Sequence, residues 1–503
     1  MARRGQWLAL AVLVLPVLLI SVDSTVLGFA LPYLSADLAP TGAEQLWIVD
    51  VYSFVLAGLL VFMGTLGDRI GRRRLLLWGG AAFGAASVLA AFSTSPLMLI
   101  LARALLGVGG ATLMPSTLSL IRSIFIGERA RRTAVAVWSA AFSGGMAVGP
   151  VIGGWLLEHF WWGSVFLINV PVMVVLLIAG PLLLPEFRDP KPGRFDPWSA
   201  LLSFGTMLPV VYGVKLAATE GFSWTAGLAI LAGLALGVLF VRRQRRLAAP
   251  MLDLGLFTDR MFAGAVITNM LGVFAMVGLL FLLPQYLQLV LGLSPLVAAL
   301  WMLPATAAGV IGSLIAARLA RRVRVPALVS LGLVFGVVGF LVLTAIGTQA
   351  GLAAVVVSFV LVGGGVALSE TLTNDLVISA APADRAGAAS AISEAGYELG
   401  AALGTALLGS LATAVYQSGL PAGAPAAAHD TLGGAVAAAH SLPPPGAAAM
   451  LSGAREAFVA ALHTSAWVGA AVLIYTAVQA YYLLARRRNR PRSGNPEEVV
   501  SHG

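Results

Sequence analysis

The stretch Gln45–Leu75, QLWIVDVYSFVLAGLLVFMGTLGDRIGRRRL, decides how the whole chain is read. It opens with an apolar run just long enough to cross a bilayer, which takes about 20 residues. One carboxylate, Asp50, stands in the outer third of that run. An ionised acid in hydrocarbon is costly and marks a functional-site candidate by default. The run then breaks into Gly64-Thr65-Leu66-Gly67-Asp68-Arg69-Ile70-Gly71-Arg72-Arg73-Arg74. Its glycines permit a tight turn out of the membrane, and its arginines cannot follow the apolar run inward. The segment thus supplies a membrane span, an orientation and a charge site.

Composition extends this to the whole molecule. The chain has 503 residues, 59% hydrophobic and 11% charged, where soluble domains carry about 25% charged residues. An all-α polytopic membrane protein follows. The net charge of +9 does not indicate nucleic acid, because the basic residues sit in short clusters between apolar runs. Without cysteine there is no disulfide, thiol catalysis or zinc–thiolate site, and the five histidines show no metal-ligand spacing. No cofactor is expected. The only lysines, Lys191 and Lys215, do not follow glycine, so no phosphate-binding loop is present and the energy source is expected to be an ion gradient. No nucleophile–base pair suggests an enzyme.

The apolar run from Trp7 to about Tyr33 is too long for a cleavable signal and is read as a retained first span. With Gln45–Leu75 and twelve later runs, fourteen spans are expected. With Arg3 and Arg4 inside, 28 of the 31 basic residues fall in cytoplasmic segments, which places both termini in the cytoplasm. Lys215 and Arg455 are left for outward loops, and Arg103 is the only basic residue expected deep in a span. The two halves repeat in parallel at an offset of about 250: Phe29–Pro32 against Phe281–Pro284, and Gly67–Arg73 against Ala316–Arg322. The expected organisation is a six-helix bundle over 1–184, a connector with two additional helices over 185–258, and a second six-helix bundle over 259–485. A basic cytoplasmic tail follows at 486–503. Such pseudo-symmetric bundles place a binding site at their interface. The outward stretch 416–456, rich in Ala, Gly and Pro, is expected to be a mobile linker or short hairpin.

Several intramembrane residues are candidates. Asp23 and Asp50 can each be neutralised by a proton or by a lipophilic cation, which is the simplest chemistry of antiport; the plainer alternative is a hydrogen bond between helices. Glu394 and Glu398 lie one turn apart and share a face. Glu370 is a further buried acid, whereas Asp375 is expected near the cytoplasmic interface. Arg103 requires a neighbouring carboxylate or a water-filled cavity. Tyr52, Trp138, Phe142, Trp301 and Tyr397 could stack on flat cations, although a single aromatic is more often packing. Gly145 and Gly149, with Gly153 and Gly154, allow close helix approach, and Pro150 bends the helix, as in routine contact or in a seal or hinge.

Together these residues resemble the major facilitator superfamily, in particular its fourteen-span drug:proton antiporters, over about Trp7 to Leu484. Gly64–Arg74 matches the pattern G-x-L-x-D-R-x-G-R-R, and Leu101-x-Arg103-x-x-x-Gly107-x-Gly109 matches the basic motif of the fourth span. Gly145-x-x-x-Gly149-Pro150-x-x-Gly153-Gly154 matches the fifth-span exporter motif, and Asp23-x-Thr25 through Ala30-Leu31-Pro32 matches the acidic first-span motif. Phe166-Leu-Ile-Asn-Val-Pro171 and Pro250-Met-Leu-Asp253 add to the likeness. The run Gln45–Ser53 looks closest to exporters of quaternary ammonium compounds and intercalating dyes. The resemblance implies a proton-coupling role for Arg103, supports Asp23, Asp50, Glu394 and Glu398 as proton or substrate groups, and makes Gly64, Asp68 and Arg72 parts of a conformational latch. No acid follows Leu303-Pro304, which points to mostly monovalent cargo.

The expected function is therefore a proton-coupled multidrug efflux antiporter of a bacterial plasma membrane. Its partners would be cationic drugs or dyes, protons and membrane lipids, and it would act as a monomer. The alternative is a narrow-specificity exporter of an endogenous antibiotic or siderophore; a receptor or lipid enzyme is the remote third.

Overall fold

In the computed structural model, residues 3–188, 196–219, 221, 223–247, 250, 252–349, 351–382, 385–420 and 424–484 are described. The basic tail at 486–503 and residues 189–195 of the connector lie outside them. Among the described residues every regular element is helical. Fourteen helices are long and apolar enough to cross a bilayer: α1 Arg4–Leu38, α2 Gly42–Ile70, α3 Arg72–Ala91, α4 Pro96–Ile124, α5 Glu128–His159, α6 Ser164–Leu183, α7 Pro197–Ala218, α8 Trp224–Arg246, α9 Arg260–Val290, α10 Pro295–Leu319, α11 Val325–Leu343, α12 Leu352–Ala380, α13 Ala388–Ser418 and α14 Pro444–Leu484.

Local chemistry starts and stops these helices. Thr41 opens α2 with a capping box, its hydroxyl accepting from Glu44 N while the Glu44 carboxylate accepts from Thr41 N. Ser95 before Pro96 and Ser294 before Pro295 open α4 and α10 in the same sense, the proline falling where no amide partner is needed. Gly71 ends α2 at φ +114°, a conformation that side-chain-bearing residues rarely adopt, and a Cβ there would strike the Glu186 carboxylate. Glu186 closes this turn. It accepts from Arg73 N at 3.1 Å and lies 3.8 and 3.7 Å from the Arg73 and Arg74 side chains.

Helices α1 to α6 pack on one another, and α9 to α14 do likewise. Helix α1 lies close against α5. A Cβ at Gly145, Gly149 or Gly153 would collide with Ser21, Thr25 or Val26 in turn, so this glycine row permits near contact of two backbones. Gly154 alone in that row faces the other group, against Pro295 and Leu296 of α10.

The two groups meet along two seams, α2 with α13 and α5 with α10. They are held at the end opposite the arginine-rich loops. There Gln288, on a π-turn that ends α9, donates to Phe29 O at 3.2 Å, and Glu158 of α5 accepts from Leu296 N at 3.2 Å. Gly64 on α2 and Gly144 on α5 have no neighbouring atom within 4 Å of where a Cβ would stand. The accessory helices α7 and α8 pair with each other, and α7 lies against both α2 and α13. A separate apolar cluster of Phe54, Val211, Ala402 and Ala406 joins α2, α7 and α13 across that seam.

Two expectations are corrected. Of the two readings of 416–456, a mobile linker or a short hairpin, the described residues do not form a mobile linker. Ala426–Asp430 and Leu432–Ala439 are helical, α14 begins at Pro444, and Leu432, Gly433, Gly434 and Ala435 are buried. Small residues allow this because they fit beneath α1: Gly433 lies against Ser35 and Pro32, and Tyr416 Oη donates to Ala428 O at 2.8 Å. Lys215 is not in an outward loop either. It occupies the last turn of α7 and is 1% exposed, so Arg103 is not the only basic residue buried within a span.

Candidate functional site

The most deeply buried charges of the first six helices are held in two ion pairs. Arg103 of α4 reaches Asp23 of α1, with Nη1 donating to Oδ2 at 2.7 Å; the side chains are 3% and 2% exposed. Its Nε donates to Ile48 O at 3.2 Å, and the guanidinium stands 4.7 Å over the Tyr52 ring. The carboxylate or water-filled cavity that the Arg103 position demanded is thus a carboxylate. Asn169 of α6 donates to the other oxygen of Asp23 at 3.3 Å and to Ser87 Oγ at 3.2 Å. Such a charge in a low-dielectric interior persists only when paired and hydrogen-bonded on all sides.

Asp50 of α2 is held separately. Lys215 Nζ lies 2.9 Å from Oδ1 and 2.8 Å from Oδ2, and 3.7 Å from the centre of the Trp47 ring. Asp50 also feels the charge of Arg103. The four charges therefore alternate in sign across α1, α4, α2 and α7.

A second cluster lies on α12 and α13. Glu394 lies close enough to act electrostatically on both Glu370 and Glu398, and Tyr397 stands within the field of all three. Asn374, hydrogen-bonded to Asn269 of α9 at 3.0 Å and to Ser393 at 2.9 Å, ties these helices together. Asp375 is exposed. The α2 segment Tyr52-Ser53 joins the two clusters: Ser53 is within hydrogen-bonding reach of Glu398, and Tyr52 lies near both Asp23 and Glu398.

The remaining candidates fall elsewhere. Trp138 and Phe142 stack in parallel, 7° apart with centroids at 6.4 Å, and Trp138 donates to Thr117 at 3.2 Å. Trp301 is 44% exposed on α10. Tyr52 is closed off beneath Arg103, 2% exposed, and offers no open face to a ligand in this conformation. Asp68 accepts from Arg72 Nε at 2.8 Å across the α2–α3 turn, and Gly64 lies open above it. Gly145, Gly149 and Pro150 lie on α5, whose glycines press on α1. Sequence reasoning missed Lys215, Asn169, Ser87 and Glu186. A lysine and an asparagine inside otherwise apolar runs were the signal for the first two; Ser87 and Glu186 gave none, since a lone serine or a first charge after a span is ordinary.

At the end opposite the basic loops, beside the contacts of Gln288 and Glu158 that join the two groups, an open recess of about 800 Å³ is lined by Tyr33, Glu158, Gln288 and Ser294 among others.

Residues 13–405 match the sequence model of the Major Facilitator Superfamily. The chain is 51% identical over 487 residues to "Multidrug efflux pump LfrA" of Mycolicibacterium smegmatis, covering 96% of each protein. It is 39% identical over 494 residues to "Methyl viologen resistance protein SmvA" of Salmonella typhimurium, covering 96% of this chain and 99% of that one. Among solved structures, an inward-facing, unoccupied bacterial homologue of the human lysosomal transporter Spinster superposes with a TM-score of 0.66 at 15% identity, over 96% of this chain and 99% of that chain. This likeness shows the fold, and the helix count and family model agree with it. The chain is a multi-pass membrane transporter, not an enzyme, and belongs to the major facilitator superfamily.

Proposed function

We propose that this transporter is a proton-coupled multidrug efflux antiporter, exporting lipophilic, mostly monovalent cations such as quaternary ammonium compounds and intercalating dyes from a bacterial cytoplasm. One observation carries the reading: buried carboxylates of both helix groups meet at the α2–α13 seam, where Tyr52-Ser53 lies between Asp23–Arg103 and Glu398. A carboxylate set in a cavity closed at one end can hold either a proton or an organic cation, and exchange of the two between states is antiport. The names of the similar proteins, a multidrug efflux pump and a methyl viologen resistance protein, support small organic solutes as cargo.

The transport cycle then follows from the seams. With the arginine-rich end in the cytoplasm, Gln288–Phe29 and Glu158–Leu296 join the two groups at the outer end in the present conformation. Cargo binding at Asp23, Glu394 and Glu398, with Glu370 and Tyr397 beside them, favours rocking of the two six-helix units, 1–184 and 259–485, about the 185–258 insert. Protonation from outside releases the cation and resets the carrier. Asp68–Arg72 holds the α2–α3 turn as a latch, and the glycine row with Pro150 keeps α5 moving with α1. Trp138, Phe142 and Trp301 flank the path as flat surfaces for cargo.

Ethidium efflux from energised cells, with and without a protonophore, tests this beside Asp23→Asn and Glu394→Gln. Efflux that collapses with the gradient and is lost in the variants is expected. Absence of dye movement in well-expressing cells would sink the multidrug reading and leave the narrow-specificity exporter in front.

A further inference from the structure

Lys215 sits at one end of the alternating chain Asp23, Arg103, Asp50 and Lys215, on a helix outside both six-helix groups. Its ammonium occupies what is chemically a binding site for an organic cation: a carboxylate 2.8 Å away and the face of an indole at 3.7 Å. Both Lys215 and Asp50 are at most 1% exposed, so neither charge is solvated by bulk water. Among the described residues, the groups near the pair include Trp47 of α2 and, through the field at Asp50, Arg103 of α4; Asp23 follows on α1, and Glu398 of α13 lies one turn along α2 at Ser53. Of Arg103 and Lys215, the two most deeply buried cations among the described residues, only lysine can give up a proton, since a guanidinium stays protonated.

We infer that Lys215 is a proton-exchanging member of the transport machinery: its ammonium holds the Asp50 carboxylate as the protein's own cation, and a lipophilic cation arriving there displaces it. The step balances without any redox change. One N–H bond of the ammonium breaks, the electron pair stays on Nζ, the proton passes to water, and the cargo cation takes the place of the ammonium beside the carboxylate. The site charge is the same before and after, so the low-dielectric interior never holds an unpaired charge. The accessory helix α7, packed on α2 and α13 together, is placed to register the exchange at the moving seam. This inference rests on the proton-coupled export proposed above.

The test uses full-length protein and tetraphenylphosphonium as the probe. In weakly buffered detergent solution, adding the probe to wild-type protein should release protons. In proteoliposomes, a pH gradient should drive its transport. Lys215→Arg keeps the charge and the pairing with Asp50 but holds its proton, so release should fall by at least half and driven transport by at least tenfold. Wild-type release and transport in Lys215→Arg would overturn the inference and leave Lys215 as an anchor for α7. Should the larger guanidinium prevent folding, the neutral pair Asp50→Asn/Lys215→Met decides. Lost proton release in a folded double variant supports the exchange, and unchanged release with unchanged driven transport overturns it. If wild-type protein moves no probe under a gradient while it binds it and releases protons, export fails as a reading and the exchange at Lys215 does not.

Discussion

Removing one partner of the Asp23–Arg103 pair separates stability from transport. Asp23→Asn keeps the shape of the side chain but leaves the Arg103 guanidinium, 3% exposed, without its counter-charge. Orphaning one charge of a buried pair costs about 3–5 kcal/mol. Arg103 retains its bond to Ile48 O at 3.2 Å and its position 4.7 Å over Tyr52, and the new amide can still accept one hydrogen bond. These contacts hold the loss near the low end, about 3 kcal/mol, or about a hundredfold in an equilibrium constant. Thermal unfolding of purified protein should therefore drop clearly for Asp23→Asn. It should recover in Asp23→Asn/Arg103→Met, where neither charge is left alone. Dye efflux from energised cells should be lost in both, because the exchanging carboxylate is gone from both. Wild-type efflux in Asp23→Asn, or efflux that returns together with stability in the double variant, would refute the assignment and reduce the pair to a structural strut.

Other consequences are as direct. Glu158→Ala removes the acceptor for Leu296 N at the closed end, an exposed contact for which about 1 kcal/mol is a fair figure; spin-label distances between positions 36 and 452 should lengthen in about fivefold more molecules, and an unchanged distribution would dismiss Glu158 as a gate. Gly149→Val places branched carbons where Thr25 Oγ1 and Val22 of α1 stand, so the purified variant should unfold earlier, by about 1–3 kcal/mol, whereas Gly127→Val, which meets nothing within 4 Å, should not. Asp196, at the basic end of α7, is pulled up by burial but held below its usual 3.8 by hydrogen bonds from Arg243 and Ser199. A depressed carboxylate contributes stability that is present above 3.8 and lost as pH falls through its lower folded value. Asp196→Asn should accordingly abolish an acid-side step of at most about 1 kcal/mol, small because Arg243 is 35% exposed, in unfolding measured below pH 4.

What could be read from residues alone was set by two strong constraints. Hydrocarbon forces every backbone group into a helix and every long apolar run across the bilayer, so the fourteen spans follow from run length, and basic clusters suffice to propose their orientation. An arginine in such a run must have a partner, which is why Arg103 announced a carboxylate before its neighbour was known. Its choice of Asp23 rather than Asp50 was not legible. The two acids lie in helices consecutive in sequence, and the rotation of α1, α2 and α4 about their axes decides which one faces the guanidinium. Lys215 was misplaced for a related reason. Seen in sequence it ends an apolar run and resembles an interfacial lysine, but α7 packs against α2 and turns its last charged residue inward to Asp50 and Trp47. The 416–456 stretch reads as a linker or short hairpin because alanine and glycine carry little periodic signal, yet small volume is what lets Gly433 pack beneath α1 and Gly434 against Ala427. Sequence alone determined the number of spans, the family and the kinds of buried charge, since solvation in lipid acts on each segment by itself. Tertiary structure alone decided which charges pair, which end is shut and what the accessory helices touch, since those depend on helix rotation and on contacts between residues 80 to 259 positions apart.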